Sequence, residues 1–191
     1  MVLLDYLKWR NDVSLKASPF NDIDNVILSC LAYIDFGEFF ANYDDSYTLE
    51  EIFELFCKNH SLDEIRESKQ FTERIALLLE EMVQADRFKG TKVVHYAEDL
   101  DKEKVKQFAA VTFILPDGSN YISFRGTDST IIGWKEDFLM TIMADTEGAK
   151  EAVKYINKVS KFLEGNLMVG GHSKGGNFAM FASAFCDNVV Q

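Results

Sequence analysis

Two periods divide this chain. Up to about residue 90, apolar side chains recur every three or four positions, the spacing that gives a helix one buried stripe. Leu3, Leu4 and Leu7 share the face of a first short helix. Beyond Pro19, Asn21 or Asp22 is placed to cap a second helix, whose face carries Ile23, Val26, Ile27, Cys30, Leu31 and Ile34. Thr48 and Glu51 have capping-box spacing, so that each satisfies a free N–H at a helix start, and Ile52, Leu55 and Phe56 continue that helix. A fourth helix is predicted from about 71 to 85, with Ile75, Leu78, Leu79 and Met82 along one stripe.

After Thr91 the pattern shortens. Residues 92–96 alternate as a strand does, and residues 107–115 and 121–124 read as two more strands. The turn-forming Pro116-Asp117-Gly118-Ser119-Asn120 joins the last two as a hairpin. Helices at about 131–142 and 147–164 follow, then an apolar strand over Leu167, Met168 and Val169, then a helix over 176–185. This order predicts an α/β fold in a single domain over 1–191, with a helical region (1–90) ahead of an α/β core (91–191). Only two prolines occur, and no linker-like tract separates a second domain.

Composition narrows the function classes. Nearly half of the 191 residues are apolar and sixteen are Phe, enough for a substantial core. Thirty-one acids against twenty bases give a net charge of −11, which opposes nucleic acid and anionic membrane surfaces as partners. Charges interrupt every apolar run short of a transmembrane segment, and Asp5 breaks any leader pattern, so a cytoplasmic location is expected. Cys30, Cys57 and Cys186 lack metal-ligand spacing; no metal and no organic cofactor is implied.

The chemistry concentrates late in the chain. Gly171-His172-Ser173-Lys174-Gly175 lies between a predicted strand and a predicted helix, the context of a nucleophile elbow. Such a turn strains the serine backbone, so its neighbours must be small, and it leaves N–H groups at the helix start free to stabilise an oxyanion. A second group agrees with it: Phe124-Arg125-Gly126-Thr127-Asp128 ends a predicted strand, and Trp134-Lys135-Glu136-Asp137 follows. Gly126 allows close backbone approach, and Thr127 offers an N–H and a hydroxyl.

These three ordered motifs resemble the class 3 (fungal-type) lipases. More closely, the whole chain is similar to a bacterial family of lipase-like α/β-hydrolase proteins whose activity is uncharacterised. The resemblance implies an α/β-hydrolase-like sheet with Ser173 as nucleophile. It implies the N–H groups of Thr127 and Lys174 as the oxyanion hole, with Asp137 orienting Thr127 and with Gly126, Gly171 and Gly175 in support. It also implies that the sheet is incomplete at the C-terminus, because such proteins carry the acid and histidine on later strands. After Ser173 the chain has no histidine, and its only acid is Asp187. His60 and His95 precede the serine, and His172 adjoins it; each reads as structural. Lys174 reads as an exposed, protonated side chain that contributes only its backbone N–H.

The expected function is that of a lipase-like serine hydrolase relative taking a small acyl substrate (an ester, thioester or amide), weak or inactive as this chain. The alternatives are a catalytically silent interaction or structural module and a fragment completed by another chain. A strand left without its neighbours implies self-association, or cover from the chain's own N-terminal helices.

Overall fold

The structure is a computed structural model that describes residues 2–128 and 130–187. The helical half contains α1 (Val2–Arg10), α2 (Asp22–Leu31), α3 (Leu49–Asn59), α4 (Leu62–Glu67), α5 (Phe71–Arg74) and α6 (Ala76–Met82). A short strand β1 (Ser46–Thr48) sits among them, followed by β2 (Lys92–Asp101), β3 (Lys106–Ile114) and β4 (Asn120–Phe124). The chain then crosses through α7 (Ile131–Leu139) and α8 (Glu147–Val159) to β5 (Leu167–Gly171) and α9 (Lys174–Phe185).

The five strands form one mixed sheet in chain order. β1 to β4 are antiparallel neighbours, and only β5 runs parallel to its partner β4. The mixture follows from the connections: a tight turn closes β3–β4, whereas β4–β5 needs a helical crossover. Side chains of β3 and β4 alternate between two cores. Val111, Phe113 and Tyr121 face the N-terminal helices with Leu28, Leu31 and Leu79. Phe108, Ala110, Ile122 and Phe124 face α8 and α9 with Ile156 and Phe178. Covered on both sides, β3 is buried at eight of its nine positions.

Several expectations need correcting. Asn21 caps α2 in a capping box with Asp24, yet Ile23 and Val26 are exposed and Leu28 takes the inward position. The predicted fourth helix is divided at Ile75 into α5 and α6, with its stripe of Ile75, Leu78, Leu79 and Met82 fully buried. α4 and β1 are additional to the predicted elements; both are too short to show a period. β2 extends to Asp101 past a bulge between Val94 and Ala97, where His95 takes φ 54°. α8 stops at Val159, short of 164.

β5 is the last strand of the sheet among the described residues. α2 packs over one face of it and α9 over the other, so N-terminal cover is present while the in-plane edge has no neighbour there. Among the described residues, no helix is long and apolar enough to cross a membrane.

Candidate functional site

β5 ends in a sharp turn into α9, and Ser173 occupies the turn with φ 57° and ψ −123°. Positive φ is uncommon for a side chain with a Cβ, and holding it costs about 1–3 kcal/mol. The turn is locked by two bonds from the first turn of α9: Gly175 N–H donates to the His172 carbonyl and Gly176 N–H to the Ser173 carbonyl, both at 3.0 Å. A Cβ on Gly175 would overlap the Phe124 carbonyl oxygen, and one on Gly171 would overlap the Gly175 carbonyl carbon. The backbone is therefore packed against backbone on both sides of Ser173, whose side chain is left exposed.

The loop after β4 is pressed against this turn. Arg125 N–H is held by the Ala109 carbonyl at 2.9 Å, which keeps the chain at the sheet for one more residue. A Cβ on Gly126 would overlap the Tyr33 hydroxyl and stand 2.5 Å from the His172 carbonyl oxygen. Thr127 follows, its hydroxyl donating to the Asp137 carboxylate, with Oδ1 at 2.8 Å and Oδ2 at 2.7 Å. Asp128 accepts from Thr130 N–H at 2.7 Å, and the Thr130 hydroxyl caps α7 at Gly133 N–H. Residues 124–126 and 171–175 thus meet, and α7 supplies the carboxylate that fixes Thr127, the next residue.

Beneath them lies a buried polar cluster that the sequence does not disclose. The Lys174 side chain is wholly buried, contrary to the expectation of an exposed lysine. Its Nζ donates to the Gln107 carbonyl (2.9 Å), to Gln107 Oε1 (2.5 Å) and to Glu136 Oε2 (3.0 Å). Glu136, also wholly buried, accepts in addition from Gln107 N–H at 3.0 Å and from Gly148 N–H at 2.9 Å. Burial lowers the Lys174 pKa from its ordinary value, against the opposing pull of Glu136. With every Nζ proton directed into this cluster, the amine is not available to Ser173 as a base.

Tyr33, from the turn after α2, closes the other side. Its hydroxyl is 3.0 Å from His172 Nδ1, and burial pushes its pKa up to about 12, so it stays a neutral phenol. Phe71 packs against both rings. Tyr33 also lines a cavity of about 520 Å³ among α3 to α6, walled by Phe56, His60, Ile65 and Ala76.

None of the three histidines takes the place of a catalytic base. His60 is paired with Glu38 at 2.9 Å and stacked on Phe56. His95 lies at the β2 bulge against Tyr43, where burial lowers its pKa. His172 is engaged by Tyr33. Among the described residues, no group of three His, Cys, Asp or Glu side chains is arranged to hold a metal ion.

A family model described as Mbeg1-like matches residues 82–191, more than half of the chain. The chain belongs to the Mbeg1-like family. No curated protein and no solved structure matches it. The Mbeg1-like segment contains both loops around Ser173 and the whole Lys174–Glu136–Gln107 cluster. Tyr33, Phe71 and the residues lining the cavity lie outside it. Sequence reasoning passes over Tyr33, Gln107 and Glu136. Glu136 stands inside the Trp134–Asp137 motif, but nothing in the local pattern marks it as buried.

Proposed function

We propose that this Mbeg1-like chain is a lipase-like serine hydrolase relative on an α/β-hydrolase-type sheet, with Ser173 as nucleophile. The observation that carries the reading is the strained Ser173 backbone at a strand-to-helix apex, in contact with a loop whose Thr127 is fixed by Asp137. Strain of this kind persists where the surroundings enforce it, and it exposes the hydroxyl. In the complete reaction Ser173 Oγ bonds to the carbonyl carbon of an ester, thioester or amide, and the carbonyl oxygen takes the negative charge between the N–H groups of Thr127 and Lys174. A base takes the hydroxyl proton and returns it to the leaving group as the carbon–heteroatom bond breaks. Water then releases the acyl group by the same route.

The base is the missing part, since no imidazole among the described residues is engaged with Ser173. That observation favours a second reading, a catalytically silent module that keeps the elbow for packing. The proposal includes a cytoplasmic setting, supported by Cys30 and Cys57 standing as thiols. It also includes association along the open edge of β5, read from hydrodynamic mass.

The test combines an activated fluorophosphonate with a short acyl ester. One adduct on Ser173 is expected, absent in Ser173→Ala, with little or no ester turnover. Robust turnover lost in Ser173→Ala refutes the inactivity and keeps the nucleophile. Neither labelling nor turnover leaves the silent module.

A further inference from the structure

The buried cluster joins the two halves of the site. α7 carries Asp137, which holds Thr127, and its immediate neighbour Glu136 holds the Lys174 ammonium. Lys174 is the first residue of α9, one position after Ser173, and supplies the second oxyanion N–H in the proposed reading. Gln107, at the start of β3, ties Lys174 and Glu136 to the sheet, and Gly148 N–H ties Glu136 to α8. Besides Asp137–Thr127, this cluster supplies the inward polar bonds of α7, whose Ile131, Trp134 and Phe138 all face solvent.

We propose that the Lys174 side chain and Glu136 are positioning residues, whose buried ion pair sets the separation between the Thr127 and Lys174 N–H groups. The inference rests on the nucleophile reading above. Preorganised donors act only if they stand where the oxyanion will form, and a loss of about one donor costs roughly 100-fold or more in rate. A buried ion pair is a weak source of net stability, because desolvation offsets most of its attraction. Its directional bonds nonetheless fix α7 against α9 in one arrangement, which apolar packing of the same volume does not require.

The experiment compares Lys174→Met/Glu136→Gln with Ile156→Val, a change in α8 that lowers stability without touching the cluster. Removing both charges avoids a lone buried ion, and the methionine side chain leaves the backbone N–H of that position in place. Both variants and the parent are melted, then treated with a fluorophosphonate over a concentration series that separates probe affinity from the rate of bond formation. We expect the double variant to melt cooperatively and to bond at least about tenfold more slowly at unchanged probe affinity, while Ile156→Val matches the parent. A double variant that melts cooperatively and bonds within about twofold of the parent overturns the proposal. Should it not melt cooperatively, Gln107→Ala replaces it under the same criteria, since that change removes one Nζ acceptor and no charge. If the parent itself takes no label, the nucleophile reading fails, and amide exchange at the hydrogen-bonded N–H groups flanking the two loops, Arg125 and Gly175–Gly176, decides the positioning role. Exchange accelerated in the double variant but not in Ile156→Val supports the role, and equal protection in the two overturns it.

Discussion

Helices α7 and α8 lie on the same crossover between β4 and β5, and they face the sheet with opposite kinds of side chain. α8 turns Ala149, Ala152, Tyr155, Ile156 and Val159 inward, an apolar stripe at helical spacing. α7 turns Gly133 and Glu136 inward and leaves Ile131, Trp134 and Phe138 exposed. α8 is therefore held by area removed from water, about 25 cal/mol per Å² of apolar surface. α7 is held by directional bonds: Glu136 to Gln107, Gly148 and Lys174, and Asp137 to Thr127. Burial without direction suffices for a helix that only fills the core. The helix that holds Thr127, next to the Gly126–His172 contact, is fixed by bonds of defined geometry.

Substitutions that break one mode of attachment without the other sharpen this contrast. The largest effect is expected for Glu136→Ala, which strands the Lys174 charge and two backbone N–H groups: about 3–5 kcal/mol, from chemical denaturation. Ile156→Ala, opening a cavity under α8, should cost about 2–4 kcal/mol while leaving the Arg125 N–H, bonded to the Ala109 carbonyl, as protected from amide exchange as in the parent relative to global stability. Ser173→Gly relieves a strained φ and should raise stability by about 1 kcal/mol, whereas Ser173→Ala keeps the strain and should be near neutral, both read from thermal melts. Smallest of all, Trp134→Gln on the outer face of α7 should change stability by no more than about 0.5 kcal/mol. A large loss there would mean that the apolar face of α7 is covered.

What is legible in the sequence follows the same division. Backbone constraints are written in residue types, so the glycines at 171 and 175 and the capping residues Thr48 and Glu51 disclose their turns locally. The hairpin at Pro116–Asn120 and the helix–strand boundary near Thr91 are readable because each changes the local period. The polar cluster is not, because Glu136 and Lys174 look like ordinary surface charges until the fold closes over them. Their bond joins residues 38 positions apart, and that of Tyr33 to His172 spans 139. No local pattern reports contacts of that range. Ile23 and Val26 fit a helical stripe but lose the inward face to Leu28, since apolar residues surround that helix on several sides.

In the proposed reading, the Ser173 turn and the Thr127 loop converge on one oxyanion. That convergence is tested most directly by a crystal structure of the chain after reaction with a fluorophosphonate. Phosphorus is expected bonded to Ser173 Oγ, with its unesterified oxygen at roughly 2.7–3.1 Å from the backbone nitrogens of both Thr127 and Lys174. An adduct oxygen directed to solvent, with Thr127 N–H engaged elsewhere, would contradict it, as would a protein that takes no adduct at Ser173 at all.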